Sequence, residues 1–296
     1  MDAADAVGWQ TAVQQWRASW PSVQINVMAR EVPRQCANPK IAWMQVLAPS
    51  ARGDVWVWSD ADVAAPAGFL DQIHAELAGS GDNAVTAAYA VQHVGCACGI
   101  LDALFVNVEF LPGALLLGRM GRQDFAYGAA TAFRAETFHA KGDWHRLGAA
   151  LADDYTLGQQ LQPVKLSGVI VSTFTKPTGW VEAWQHYYRW QKTVRWCRPG
   201  GYAALLVLMP AFGWALASVL CAPKIFFLSG LGAVLCGEVL VGMLACRFVG
   251  CRMPALSWCS IALWPFFRVA AWLLVWLPFP ALWSGRQRKW FSPRQE

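Results

Sequence analysis

Two carboxylates stand one residue apart in Trp56-Val57-Trp58-Ser59-Asp60-Ala61-Asp62-Val63, directly after a run of bulky apolar residues. Anions that close repel each other unless something positive sits between them. Oxygen ligands in this pattern suit a hard divalent cation. A cation held there can bridge a diphosphate and neutralise the charge that develops as it leaves. Asp-x-Asp after an apolar strand is therefore a nucleotide-sugar signal, although a polar turn with a helix cap accounts for the same residues. The second acidic cluster is Ala152-Asp153-Asp154-Tyr155. Acids at a helix start complement the dipole and cap free N–H groups. One of them also suits the base that displacement of a diphosphate by an alcohol requires. In the third cluster, Trp184 to Trp196, aromatics alternate with Arg. A belt at a bilayer surface explains it. So does a diphosphate site in which Arg189 supplies paired hydrogen bonds from its planar fork and Trp190 shapes an acceptor pocket.

The elements that must position these residues alternate in type. Helices are expected over 7–20, 40–47 and 66–77 and from Leu151 onward, and strands over 23–27, 54–58, 84–91, 125–134 and 164–174. The alternation predicts an α/β domain with a mostly parallel sheet. Residues at the carboxyl ends of its strands would face the ligand crevice, and the strand ending at Trp58 is expected to be buried. Gly99 to Leu117 is apolar enough for a membrane span, but Asp102, Asn107 and Glu109 lie inside it. Burying three such groups in lipid is costly, so a helix along the domain or the membrane surface is expected.

Composition divides the 296 residues near Arg198-Pro199-Gly200-Gly201. Before it charged, polar and apolar residues mix; after Tyr202 charges become rare. The hydrophobic fraction is 56%, and the mean hydropathy is +0.29. Residues 1–198 therefore read as a catalytic domain and 199–296 as a membrane region. Spans are expected near 203–221 and 225–246. Pro265, Arg268, Pro278 and Pro280 make 257–283 an interfacial or re-entrant segment. Arg189, Lys192, Arg195 and Arg198 before the first span, and Arg247 and Arg252 after the second, put the catalytic domain in the cytoplasm. The net charge of +5 fits such loops. With no zinc-finger spacing, basic helix or long basic run, nucleic acid is excluded as a partner. The 18 Trp suit a bilayer interface. Nine Cys without a CxxC pair read as free thiols that fill space. The first twenty residues hold acids and no long apolar stretch, so no signal peptide is predicted.

The order of the three clusters is more specific than any one of them. Asp-x-Asp after a strand, then Asp-Asp-Tyr, then Arg-Trp before a membrane span resembles the ceramide glucosyltransferase family, family 21 of the glycosyltransferases, and its relatives associated with hopanoid synthesis. The likeness covers nearly the whole chain and includes "NPKIAWM" at 38–44, "YGAATAFRAETF", "LADDYTLG", "RWQKTVRWCRPGGY" and the basic tail "WSGRQRKW". It implies a nucleotide-diphosphosugar transferase (GT-A-like) domain docked on membrane helices, in a bacterial inner membrane. The implied enzyme is an inverting hexosyltransferase that moves a sugar from a UDP-sugar to a lipid hydroxyl, of ceramide or a hopanoid polyol, with Mg2+ or Mn2+. Carried over residue by residue, Asp60 and Asp62 hold nucleotide and metal, and Asp154 is the general base. Asp5, Lys40, Arg189 and Trp190 bind the donor, while Asp153, Tyr155 and His186 lie in the acceptor region. Two departures stand out. His186 occupies the position where the family has Gln or Arg, which points toward the hopanoid-associated N-acetylglucosaminyltransferases. The chain also starts near the family's first essential aspartate (Asp5 or Asp2), without the N-terminal membrane helix and first strand, so an N-terminally truncated copy is expected. Alternatives are a processive polysaccharide synthase of family 2 and an inactive truncated copy.

Overall fold

The computed structural model describes residues 3–27, 38–121, 123–175, 179–221, 224–278, 281–283 and 286–288. In chain order the elements begin with α1 (Ala3–Ser19), α2 (Pro39–Leu47), β1 (Val55–Ser59), β2 (Val63–Ala64), α3 (Phe69–Ser80) and β3 (Ala84–Val94). A helical stretch follows: α4 (Ile100–Leu104), a π-helical turn (Phe105–Phe110) and α5 (Leu111–Arg119). Next come β4 (Ala130–Arg134), α6 (Ala135–Lys141), α7 (Trp144–Ala149), α8 (Asp153–Leu161), β5 (Val164–Thr175) and α9 (Trp180–Cys197). The rest is helical, α10 (Pro199–Ala204), α11 (Pro210–Cys221), α12 (Lys224–Phe248), α13 (Ala255–Ser260) and α14 (Trp264–Leu274), with a short hairpin, Ala281–Trp283 against Arg286–Arg288. Two units result: Met1–Arg52 with Asp143–Ala150, and Gly53–Gly142 with Leu151–Glu296.

In the smaller unit the Asn38-Pro39-Lys40 segment has a plain local role. The Asn38 side-chain oxygen accepts from the N–H groups of Lys40 (3.0 Å) and Ile41 (3.4 Å) and so caps α2, with Pro39 in the first turn where its missing N–H costs nothing. The Asn38 N–H donates to the Gly148 carbonyl of α7. The strand expected over 23–27 is not formed. Val23 and Val27 are about half exposed, and the Ile25 carbonyl accepts from the Arg17 guanidinium instead of from a neighbouring strand.

The larger unit holds a five-stranded sheet in the order β1-β4-β3-β5-β2. It is mixed, not mostly parallel. β3 and β5 are parallel, while β1 with β4, β3 with β4, and β2 with β5 are antiparallel. Strand–helix alternation signals a layered α/β fold but carries no information on strand direction, and here the chain from α5 re-enters the sheet at β4 running the opposite way. β1 is an edge strand and only Trp56 in it is buried. Trp56 and Trp58 instead meet Phe133 of β4 and Phe138 of α6, so the Trp-x-Trp pattern serves an aromatic cluster. β1 and β2 occupy opposite edges although only Asp60, Ala61 and Asp62 separate them. The Asp-x-Asp link therefore crosses the sheet.

Phe69, Ile73 and Leu77 of α3 pack with Val85, Ala87 and Val171; Leu111 and Ala114 of α5 pack with Ala88 and Ala90. Asp102, Asn107 and Glu109, inside the apolar stretch from 97 to 119, each have a protein partner. Asp102 bonds His186. Asn107 pairs with both the N–H and the C=O of Val91, at 2.9 Å each. Glu109 forms an ion pair with Arg268. The helix is thus fastened along β3, where the chain supplies what lipid would withhold.

Ala97–Arg119, Ser229–Phe248 and Ala255–Leu274 are each long and apolar enough to cross a membrane; the first is 56% buried within the protein, the second 11%. The segment 203–221 is not one helix: a 3-10 turn at Leu205–Leu208 precedes Pro210, which opens a separate 12-residue helix, because proline cannot extend the helix before it. Over 255–274 a 3-10 turn at Ile261–Leu263 joins α13 to α14, and Pro265 sits in the first turn of α14, where its missing N–H costs nothing. Cys96 and Cys98, expected as free thiols, are bonded to each other across a tight turn with their Cα atoms 5.5 Å apart.

Candidate active site

A buried hydroxyl network fixes the segment that faces the acids. The Thr86 and Thr131 hydroxyls are 2.8 Å apart, the Tyr127 N–H donates to Thr86 Oγ1 (2.8 Å), and Thr131 Oγ1 donates to the Tyr127 carbonyl (3.0 Å). This ties Tyr127–Thr131 to β3 and β4. The Asp60 N–H and the Ser59 hydroxyl both donate to the Ala129 carbonyl (3.1 Å each), which extends the β1–β4 pairing to the first acid of the Asp-x-Asp link.

Asp154 arrives from the other side. It stands in the first turn of α8, and Gly158 lies one turn further on the same face. A methyl group at Gly158 would sit 2.1 Å from the Ala126 nitrogen and 2.4 Å from Phe125 Cα. Only glycine lets α8 rest directly on that backbone. The helix end is pinned there too, as the Gln159 and Gln162 side-chain amides donate to the Asp124 carbonyl at 2.7 and 2.9 Å. The acids meet at Gly128. A Cβ there would be 3.2 Å from Asp154 Oδ2 and 3.5 Å from Asp60 Oδ2. Two carboxylates thus approach one point that glycine keeps open.

Tyr89 of β3 lies within electrostatic reach of both acids. Burial pushes its phenol above the usual range, and the charges of Asp154, Asp60 and Asp102 add to the shift. Tyr127 is pushed up to about 12, by burial first, with Asp124 and Asp154 adding and its hydrogen bond to the Gln123 side-chain oxygen opposing. Helix α9 supplies the basic side. Ala183, Tyr187 and Gln191, at successive turns, form its buried face. The adjoining face carries His186, Arg189, Trp190 and Cys197. His186 Nδ1 lies 2.8 Å from Asp102 Oδ2, and its ring packs 4.3 Å from that of Trp190. Burial lowers the basicity of Arg189, while Asp102 and Tyr89 draw it back up. Arg189 makes no ion pair among the described residues, so its fork is available to an anion.

The structure brings Asp60 and Asp154 together at Gly128, and separately groups Asp102 with His186 and Trp190, with Arg189 within electrostatic reach of Asp102. Asp62 lies on the exposed turn of the link. Asp153 shares the first turn of α8 with Asp154. Tyr155 packs on Phe125, and both rings lie beneath Arg198, which is paired with Asp124. Lys40 belongs to the smaller unit. Asp5 lies in α1 of that unit, and its side chain, like Asp2, falls outside the described residues. Sequence reasoning missed Tyr89, Asp102, Gly128 and Gly158. Gly158 alone carried a local signal, an isolated glycine inside a helical pattern, which marks close packing.

The Asp154 charge has a reporter. The Cys197 thiol is pushed up to about 12 by burial first and by Asp154 second, with Arg198 opposing. Thiolate is the reactive form, and at pH 8 about one Cys197 in ten thousand would be ionised. Cys197 should therefore resist iodoacetamide in the wild type, and Asp154→Asn should speed its alkylation several-fold by removing a nearby negative charge. Mass spectrometry of the peptide gives the rate; an unchanged rate would place Asp154 away from Cys197.

The sequence model of the family described as Glycosyl transferase family 21 matches residues 3–290. No curated protein sequence matches significantly. Among solved structures, a mannosyltransferase from Pyrobaculum calidifontis in complex with GDP-Man and Mn2+ is similar at 16% identity and a TM-score of 0.49, covering 90% of this chain and 74% of that one.

Proposed function

The chain belongs to glycosyl transferase family 21, and from that premise we propose that it transfers a hexose from a UDP-sugar to a lipid hydroxyl at a membrane. The observation that carries this reading is the meeting of two acids at Gly128, where a Cβ would lie within 3.5 Å of both the Asp60 and the Asp154 carboxylate. One carboxylate serves the leaving diphosphate and the other the attacking alcohol. Asp154 accepts the proton as the lipid oxygen bonds to the anomeric carbon and the bond to the diphosphate breaks, which inverts the centre in one displacement. Arg189 presents its planar fork to the diphosphate, and Trp190, held against His186, walls the pocket.

Asp60 with Asp62 would hold Mg2+ or Mn2+. Among the described residues no group of three His, Cys, Asp or Glu is gathered for a metal. Mg2+ at nucleotide sites is commonly held by one or two carboxylates and completed by substrate phosphates. When bound, it would neutralise charge on the departing diphosphate. Asp5 and Lys40 carry only the donor role that the family likeness implies, and Asp153 and Tyr155 only the acceptor role. Membership of family 21 sets aside the family 2 synthase, and the paired acids argue against an inactive copy. The basic residues flanking the helical region support a cytoplasmic catalytic domain on an inner membrane.

Glycolipid mass spectrometry on cells with and without the gene tests the whole reading. A hexosyl or N-acetylhexosaminyl lipid should disappear on deletion. Its mass identifies both the sugar and the acceptor, ceramide or hopanoid polyol. An unchanged lipid profile, with no UDP released by the purified protein in nanodiscs carrying either lipid, overturns it.

A further inference from the structure

We propose that Asp102 is a positioning residue for this reaction, fixing His186 as the Nδ1–H tautomer so that Nε2 faces the site as an acceptor for a substrate hydroxyl. The inference rests on the transfer reading above. Asp102 lies in α4, 3% exposed. A buried carboxylate adds nothing to packing and is costly to desolvate, so its retention calls for a partner that uses the charge. His186 is that partner. A carboxylate only accepts, so the 2.8 Å contact with Oδ2 places the proton on Nδ1. The His186 side chain is 35% exposed against 4% for Asp102, which buries the Nδ1 edge of the ring and turns the opposite edge outward. Trp190 packs against the ring, 4.3 Å between centroids, and restricts its rotation. Asp102 Oδ1 accepts no hydrogen bond among the described residues, and Arg189 feels the Asp102 charge. The same carboxylate therefore underlies both polar side chains of the His-x-x-Arg-Trp segment. This also gives a physical reason for histidine at position 186, since an imidazole becomes a defined acceptor only when something beneath it fixes the tautomer.

The test uses the full chain in nanodiscs. With 15N-histidine labelling, His186 is assigned among the five histidines by comparison with His186→Gln. The wild type should show a single Nδ1–H tautomer. Asp102→Leu, an apolar substitution of similar size on an apolar helix, should give a mixture or the Nε2–H form. Turnover is then measured with UDP-glucose in ceramide nanodiscs or UDP-N-acetylglucosamine in hopanoid-polyol nanodiscs, whichever the wild type supports. The loss caused by Asp102→Leu should be about tenfold larger with His186 present than in the His186→Gln background. A rise in the donor KM would assign the hydroxyl to the sugar, and a rise in the acceptor KM to the lipid. An unchanged tautomer in Asp102→Leu, or equal losses in both backgrounds, overturns the proposal. A wild type that binds no UDP fails the donor reading alone, because the tautomer measurement needs no substrate and still decides whether Asp102 holds His186.

Discussion

Asp154→Asn should lower the turnover number about a thousandfold while leaving UDP affinity within a few-fold of wild type. The asparagine is isosteric, so α8 keeps its place, but its amide cannot take a proton from the attacking alcohol. A positioned general base typically contributes about 10²–10⁴-fold. The binding half of the expectation follows from electrostatics. Asp154 and Asp60 approach the same point beside Gly128, and the repulsion between them works against an incoming diphosphate as well. Removing one charge relieves that repulsion, so UDP should bind as well as before or slightly better. Single-turnover kinetics and calorimetry with UDP separate the two effects. A collapse of UDP affinity with the rate per bound complex preserved would make Asp154 a donor ligand and leave the reaction without its base.

How much of this site could be read from the chain depends on what kind of signal each residue leaves. Strands and helices with strong patterns, such as 66–77, 84–91 and 164–174, emerge within a few residues of α3, β3 and β5, because burial on one face imposes a period and burial on both faces, as in β3, a continuous apolar run. Asp60 and Asp154 were legible because each interrupts a pattern, one at the end of an apolar strand and one at a helix start. Strand direction was not legible, since the local sequence of β4 is the same whichever way its neighbours run. The strand expected at 23–27 shows the same limit, as its apolar residues have the right composition but pair with no strand among the described residues. Asp102 looked only awkward in a sequence reading. Its meaning lies in His186, 84 positions later, and no local rule joins them. Gly128 was hidden for a different reason, because its function is the side chain that it lacks.

Gly158→Ala should destabilise the protein by about 2–3 kcal/mol and cost transfer at least about a hundredfold, although alanine is normally the better helix former by about 1 kcal/mol. The sign is what makes the expectation sharp. At an exposed helical position the substitution would stabilise. Here the new methyl meets backbone at 2.1 and 2.4 Å, and alanine has no rotamer with which to escape. The helix must lift off Phe125–Ala126, a form of overpacking that costs about 1–3 kcal/mol or more. As it lifts, it weakens the Gln159 and Gln162 bonds to Asp124 and carries Asp154 away from Gly128. A displacement of about 1 Å at a reacting group costs about 10²-fold. Gly128→Ala is the matching control. Its methyl meets the ends of two side chains and no backbone among its nearest atoms, Asp154 Oδ2 at 3.2 Å, Asp60 Oδ2 at 3.5 Å and Asp154 Cγ at 3.6 Å, so thermal stability should stay within about 1 kcal/mol of wild type while transfer fails because the space beside the acids is filled. Thermal unfolding in detergent, read beside turnover, distinguishes the two variants. If Gly158→Ala melts at or above the wild-type temperature with full activity, α8 does not rest on that backbone, and the placement of Asp154 against Asp60 loses its physical basis.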